Sequence, residues 1–176
     1  MTPAMASFPL RAASILDAAP TGLTLRPATD NDMAFLRQLY AASRHDEMAA
    51  VPWPDAAREA FLASQFALQH AHYLSHYACA AFLIVMEGTR PIGRLYVDER
   101  ERDLHVIDIS LTLADQGHGW GSALMRVLMR QASARGKGVT LQVSRFNPRA
   151  HALYRRLGFI EAPGGDAAYL PMRWVS

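Results

Sequence analysis

The chain has 176 residues, enough for one domain with a sizeable core and too few for two ordinary ones. Hydrophobic residues make up 51% and charged residues 19%, which excludes a disordered polyelectrolyte. The formal net charge of +2 hides a cluster in the last third, Arg126, Arg130, Arg135, Lys137, Arg145, Arg149, Arg155 and Arg156; a small anion suits that region, whereas no dense basic stripe with interleaved aromatics marks a nucleic-acid binder.

Residues 1–22 read as a loose N-terminal extension, because Arg11 and Asp17 interrupt them and no long apolar stretch forms a secretory signal. A single domain is expected over 23–176. Leu23-Thr-Leu-Arg-Pro alternates as a strand, and Asp30 to Asp32 supply N-cap chemistry for a helix through Phe35, Leu36 and Leu39. A second helix follows Trp53-Pro54-Asp55 and runs towards Tyr77. Cys79 is the single cysteine, so no internal disulfide or zinc cluster forms, and Ala78-Cys-Ala-Ala-Phe-Leu reads as the setting of an inert buried thiol. Ala80 to Met86 and Pro91 to Val97 read as strands joined by a Gly-containing hairpin, Glu87 to Arg90.

Leu104 to Leu113 alternates next, with Ile107, Ile109, Leu111 and Leu113 on one face and Val106, Asp108, Ser110 and Thr112 on the other. The three strands form an antiparallel meander. From Trp120 the spacing turns helical through Ala123, Leu124, Val127 and Leu128, and Gly136 stops it. Val139 to Val143 is a strand; Asn147 then caps a helix with Pro148 at its first position, and Gly158 ends it. Tyr169 to Trp174 can close the sheet. The class is mixed α/β, a mostly antiparallel twisted sheet flanked by about four helices. No apolar run is long enough to span a membrane, and the expected location is cytoplasmic.

Gln116-Gly117-His118-Gly119-Trp120-Gly121 lies where a strand stops and a helix begins. Unpaired N–H groups of a helix start, approached through residues without side chains, form an anion site. A P-loop would need Gly-Lys-Ser/Thr, whereas Gly121 is followed by Ser122 and Ala123. A dinucleotide fingerprint would need G-x-G-x-x-G in a parallel unit with an acid about twenty residues on, and no acid stands between Gly119 and Arg145. The remaining pattern is Q/R-x-x-G-x-G/A, met by Gln116, Gly119 and Gly121. Downstream, after an intervening strand, comes Asn147-x-x-Ala150-x-x-x-Tyr154-x-x-x-Gly158-Phe159.

With both signatures in order, the sequence resembles the GNAT superfamily of acyl-CoA-dependent N-acyltransferases. Arg44-x-x-Glu47, Pro52-Trp53, Phe61-x-x-x-Gln65-Phe66, Gly93 to Val97 and Asp108-Ile109 are similar to a bacterial group of that superfamily. The resemblance implies transfer of an acetyl group from acetyl-CoA to a primary amine by direct attack on the thioester, without a metal. It implies coenzyme A contacts from Leu111, Leu113, Gln116, Gly117, His118, Gly119, Trp120, Gly121, Ser122, Asn147 and Tyr154. Leu111 and Leu113 would offer main-chain groups, their side chains facing the core. Asp115, where a bulkier residue is common, and Gln116, where Arg is commoner, depart from the pattern.

Tyr154 matches the acid that protonates the leaving thiolate; its other reading is packing beside Ala150 and Leu157. Asp108, the one acid within its strand, reads either as a base acting through water or as the partner of Arg94 on the adjacent strand. Gln65 and Gln69 continue as a stripe with His72 and His76, either orienting an acceptor or facing solvent. His70, His72 and His76 lack the His-Glu-x-x-His pattern of a metal site. Glu47 and Trp53 enter the acceptor pocket through the resemblance alone. The expected partner is a small-molecule or peptide amine, with no nucleic acid and no membrane, and the expected state a monomer or homodimer. The alternative from another class is a non-catalytic acyl-CoA sensor.

Overall fold

The computed structural model describes residues 6–9 and 18–175. Seven strands form one sheet in the order β1-β2-β3-β4-β5-β7-β6. These are β1 (Thr24–Pro27), β2 (Ala81–Glu87), β3 (Arg90–Glu99), β4 (Asp103–Leu111), β5 (Gly138–Ser144), β6 (Ile160–Glu161) and β7 (Tyr169–Trp174). The helices are α1 (Met33–Ser43), α2 (His45–Ala49), α3 (Asp55–His76), α4 (Trp120–Ala134) and α5 (Pro148–Arg156). All strand pairs are antiparallel except β4 with β5. The expected β2–β3–β4 meander is present; the one-turn α2 and the two-residue β6 are too short to carry a period and were not foreseen.

Both faces of the sheet are covered, so β2 and β3 are apolar almost throughout. Leu83, Val85 and Leu95 join Leu124, Met125 and Leu128 of α4 and Tyr154 of α5 in one cluster. Phe82, Ile84 and Tyr96 join Leu36 and Tyr40 of α1 and Phe66 of α3 in the other. Alternation along each strand splits its side chains between the two.

Strict alternation fails in β4. Tyr96 pairs with Asp108 and Val97 with Val106, so Ile107 has no partner. This is a β-bulge, which lets two consecutive side chains leave on one side. Val106 therefore packs in the α4/α5 cluster with Ile109 and Leu111, and Ile107 against the α1/α3 cluster, where the sequence had placed each with the opposite set. A further correction concerns Leu113, expected to face the core. The strand stops at Leu111, and Leu113 lies in a 3-10 turn with 60% of its surface exposed.

The β4–β5 ladder runs only from Asp103–Gly138 to Val106–Leu141. Beyond the bulge the two strands part, while β5 continues to pair with β7 through Ser144. That opening positions the site.

Cys79, read from sequence as buried, is exposed in the turn before β2. The buried run begins one residue later, at Ala80. Phe8, within the stretch read as a loose extension, is packed, while residues 1–5 and 10–17 lie outside the described set. Phe8 is 8% exposed and meets His70 edge-on at 4.8 Å between ring centres. His70 Nε2 donates to the Ala6 carbonyl at 2.8 Å, and Asp30 accepts from Phe8 N at 3.1 Å. Phe8→Ala should lower the unfolding free energy by about 3 kcal/mol, the cost of emptying a buried aromatic site. Urea denaturation of the full chain checks this; an unchanged midpoint would mean that the segment only rests on the sheet.

Candidate active site

The opened sheet holds a cleft of about 380 Å³ between β4 and α5, floored by the start of α4. Gly117 and Gly119 stand at φ +84° and +85°, in the left-handed region that side chains resist, and Gly119 caps α4. The first intrahelical bond closes from Ala123 N to Gly119 O, so the N–H groups of Trp120, Gly121 and Ser122 precede the ladder. A fifteen-residue helix adds its dipole to those donors. A Cβ on Gly119 would meet nothing within 4 Å, and one on Gly117 would lie 3.7 Å from Arg149 Nη2. Backbone donors, open approach and a nearby guanidinium fit a phosphate.

Two side chains fix the loop. Gln116 Nε2 donates to the Leu111 carbonyl at 3.1 Å, tying the loop to the end of β4. Asp115 takes a two-pronged hydrogen bond from Arg90 Nη1 and Nη2 at 2.8 and 2.7 Å, and a further one from the Thr112 hydroxyl. The departure from pattern at Asp115 thus anchors the loop to the β2–β3 hairpin. Hydrogen bonding from Arg90 holds the Asp115 carboxyl below its usual range, against the opposing effect of burial.

Asn147 caps α5 by accepting from Ala150 N at 3.0 Å, with Pro148 at the first helical position. The helix turns Tyr154 into the cleft, 5.8 Å from Phe159 between ring centres. Burial, and then the charge of Asp108, push the Tyr154 hydroxyl up to about 12, above the ordinary phenol value assumed from sequence. The hydroxyl therefore keeps its proton throughout the neutral range.

Asp108 points to the other face of the sheet. Its Oδ1 accepts from Arg94 Nε at 3.2 Å and Ser110 Oγ at 2.8 Å; its Oδ2 accepts from Arg94 Nη2 at 2.8 Å and Tyr73 Oη at 2.9 Å. Arg94 Nη2 also donates to Gln69 Oε1 at 2.9 Å. Of the two sequence readings of Asp108, the structure contains the Arg94 pair, with Arg94 3% exposed.

Of the residues expected at coenzyme A, Leu111, Gln116, Gly117, Gly119, Gly121, Ser122, Asn147 and Tyr154 line the cleft. Leu113 and His118 are exposed outside it, and Trp120 packs its side chain on the α4/α5 cluster, leaving only main-chain groups to the loop. Of the acceptor candidates only Gln69 joins the Asp108 network. Glu47 is exposed and paired with Arg44 at 2.7 Å; Trp53 is 44% exposed and stands edge-on to Phe61; Gln65 is half-buried on α3. Arg149, Leu153 and Arg156 line the cleft without having been singled out as site residues. Their i, i+4, i+7 spacing places them on one face of α5 and is the signal that could have found them. Among the described residues no group of three or more His, Cys, Asp or Glu could hold a metal, and no helix is long and apolar enough to cross a membrane.

The sequence profile of the Acetyltransferase (GNAT) family matches residues 33–159. The chain belongs to this family. This GNAT chain is 37% identical over 108 residues to the N-alpha-acetyltransferase RimI of Mycobacterium tuberculosis, the matched stretch spanning 61% of each protein, less than two thirds of the relative. Its fold is similar to the PaiA N-acetyltransferase of Thermoplasma acidophilum, solved in complex with coenzyme A (TM-score 0.66, 14% identity, 88% of this chain and 99% of the other). It is similar also to spermidine N-acetyltransferase of Vibrio cholerae, solved with coenzyme A and spermine (TM-score 0.59, 21% identity, 88% and 96%). The glycine loop and Tyr154 of α5 both line the cleft.

Asp115 gives a pH prediction. Its folded pKa is depressed, so its contribution to stability is present above the unfolded carboxyl value of about 3.9 and is lost as pH falls through the lower folded value. Asp115→Asn should be less stable than wild type at pH 7, with the difference shrinking below about pH 4. Denaturant unfolding at pH 7, 4 and 2.5 measures it, and a gap that stays constant with pH would remove the ion pair as its cause.

Proposed function

We propose that the protein transfers an acetyl group from acetyl-CoA to a primary amine by direct attack on the thioester. The observation that carries this reading is one cleft lined both by a glycine-rich helix start and by a buried, protonated tyrosine. A sensor needs only the first; a transferase also uses the second as a proton donor.

The residues present fit coenzyme A. In this reading the N–H groups at the start of α4 and the Arg149 guanidinium hold the pyrophosphate. The edge of β4, unpaired beyond the bulge, offers main-chain groups along the pantetheine arm, with Ile109 and Leu111 as an apolar wall. Bound there, the thioester supplies an activated acyl carbon. Tyr154 holds a proton for the departing sulfur, and burial of its ring excludes water from that proton. Asp108 and Arg94 act from behind as a rigid ion pair that fixes Tyr73 and Gln69 of α3 against the sheet. The names of the relatives, an N-alpha-acetyltransferase and a spermidine N-acetyltransferase, agree with an amine as the second substrate.

Acetyl-CoA at a hundred times its Kd should stabilise the fold by about 2.7 kcal/mol, with ATP and NAD protecting less. Equal protection by all three in a thermal melt would remove the donor assignment. Gly121 is the better position at which to block the loop, because its φ is ordinary and a Cβ there would meet Leu153 at 3.8 Å, whereas Gly119 would be strained by any side chain. Gly121→Val should weaken coenzyme A binding at least tenfold in calorimetry while leaving the protein folded; unchanged affinity would place the ligand elsewhere.

Tyr154→Phe keeps the packed ring and removes only the hydroxyl. General acid catalysis contributes about a hundredfold to ten-thousandfold, so single-turnover thiol release should fall in that range at unchanged acetyl-CoA affinity. Wild-type turnover in the mutant at every pH would make Tyr154 a packing residue.

A further inference from the structure

Between Gln116 and the first turn of α4 the chain runs through Gly117, His118 and Gly119. Both glycines stand at positive φ and His118 is exposed, so these three residues anchor the backbone with no buried side chain. Before them the chain is tied by the Gln116 bond to the Leu111 carbonyl at 3.1 Å and by Asp115 with Arg90. After them the first side chain able to hold the backbone is that of Trp120, which opens α4. Its N–H is one of the three donors that precede the helical ladder. Donors at the end of a glycine run serve an anion best when the run is held on both sides, because freedom lost on binding subtracts from affinity.

The Trp120 indole is half-buried against the α4/α5 cluster, and Ala19 packs on that same cluster. Gly22 lies against the outer edge of the ring: a Cβ built on it would stand 3.3 Å from Trp120 Cη2, and the indole would have to give way by a few tenths of an ångström. Gly22 also stands at φ +91°, and Leu23 N donates to Pro20 O at 3.0 Å, so residues 20–23 form a tight turn laid over the ring. Phe8, earlier in the same N-terminal stretch, belongs to the α1/α3 cluster on the opposite face of the sheet. The stretch that leads into the edge strand β1 is thus fixed on both layers, and one of its two fixed points is the residue that opens α4.

We propose that residues 19–22 are a working part of the coenzyme site: they seat the Trp120 indole, and the seated indole positions the N–H groups at the start of α4 for the pyrophosphate. The proposal rests on the acetyl-transfer reading above and adds to it a positioning residue, Trp120, whose side chain lies outside the lining of the cleft. Gly22 is required for this by geometry, since any side chain there would both strain the turn and push on the ring. Coupling between two sites is reciprocal. Coenzyme A held by the α4 donors therefore tightens the turn at 19–22, just as the turn tightens the donors.

The test is calorimetry with coenzyme A on the full chain, comparing wild type, Gly22→Ala, Trp120→Phe, the double variant and Gly136→Ala, at a temperature where circular dichroism shows each to be folded. Gly136 stands at φ +64° and a Cβ there would meet nothing within 4 Å among the described residues, so it reproduces the backbone strain without a ring to displace. Trp120→Phe keeps an aromatic ring on the cluster and removes the outer ring that reaches Gly22. Each of Gly22→Ala and Trp120→Phe should weaken binding by about three- to tenfold, the double variant about as much as either alone, and Gly136→Ala by less than about twofold. In wild type, hydrogen exchange read by mass spectrometry over residues 19–24 should slow by about threefold or more when coenzyme A binds. Unchanged affinity in both single variants, losses that multiply in the double variant, an equal loss in Gly136→Ala, or exchange at 19–24 indifferent to coenzyme A would each make the turn a plain fold element and overturn the proposal. Should a variant fail to fold, the exchange measurement on wild type decides. Failure of coenzyme A to bind wild type at all would instead overturn the acetyl-transfer reading beneath it.

Discussion

Ile107 has no partner across the sheet, and the extra residue does two things to β4 at once. It lies where the hydrogen-bonded ladder to β5 stops, at Val106, and it reverses which side chains face which layer. The parted strands leave main-chain groups and a wedge of space in the middle of an otherwise continuous sheet. A gap of that kind is costly unless something polar fills it. The α4 helix start and the capped α5 border the wedge, so the donors they contribute converge on the same space as the unpaired strand edge.

The same bulge explains the division of labour between the two faces. Side chains before it and after it, Val106, Ile109 and Leu111, line the layer that holds α4 and α5, and Asp108 is turned towards α1 and α3. There it meets Arg94, itself directed to that face by pairing opposite Ser110. Burying two charges costs desolvation, which four hydrogen bonds to the carboxylate and one to Gln69 offset. The pair pins the long α3 to the sheet directly beneath the cleft, so the wedge opens against a fixed floor.

Much of this could be read from residue order. The meander, α4 and α5 were legible because their periods are long and their caps explicit: Asn147-Pro148 at one start, Gly136 and Gly158 at two ends. The glycine loop was legible because few chemistries call for that run between strand and helix. The bulge was not, since an inserted residue in an apolar strand leaves the composition unchanged and only shifts its phase. Val106 and Ile107 were misplaced for that reason, and Leu113 because the strand ends two residues before it and a 3-10 turn follows. Arg149 was legible only as one charge of a basic cluster, because its place beside Gly117 depends on an approach between residues more than thirty apart in the chain. Asp108 kept two readings because a lone acid in a strand carries no information on how many donors surround it. Phe8 was missed because an isolated aromatic in a polar-punctuated stretch has no period at all.

Cys79 stands exposed in the turn between α3 and β2, three residues beyond the last residue of α3, and it is the single cysteine of the chain. A maleimide dye or spin label would therefore attach at one position without any substitution, at the distal end of the helix that Arg94 and Asp108 hold down. Fluorescence polarisation or electron paramagnetic resonance from that label would report whether α3 stiffens when each ligand binds, giving the α3 face of the sheet a reporter that leaves the cleft untouched.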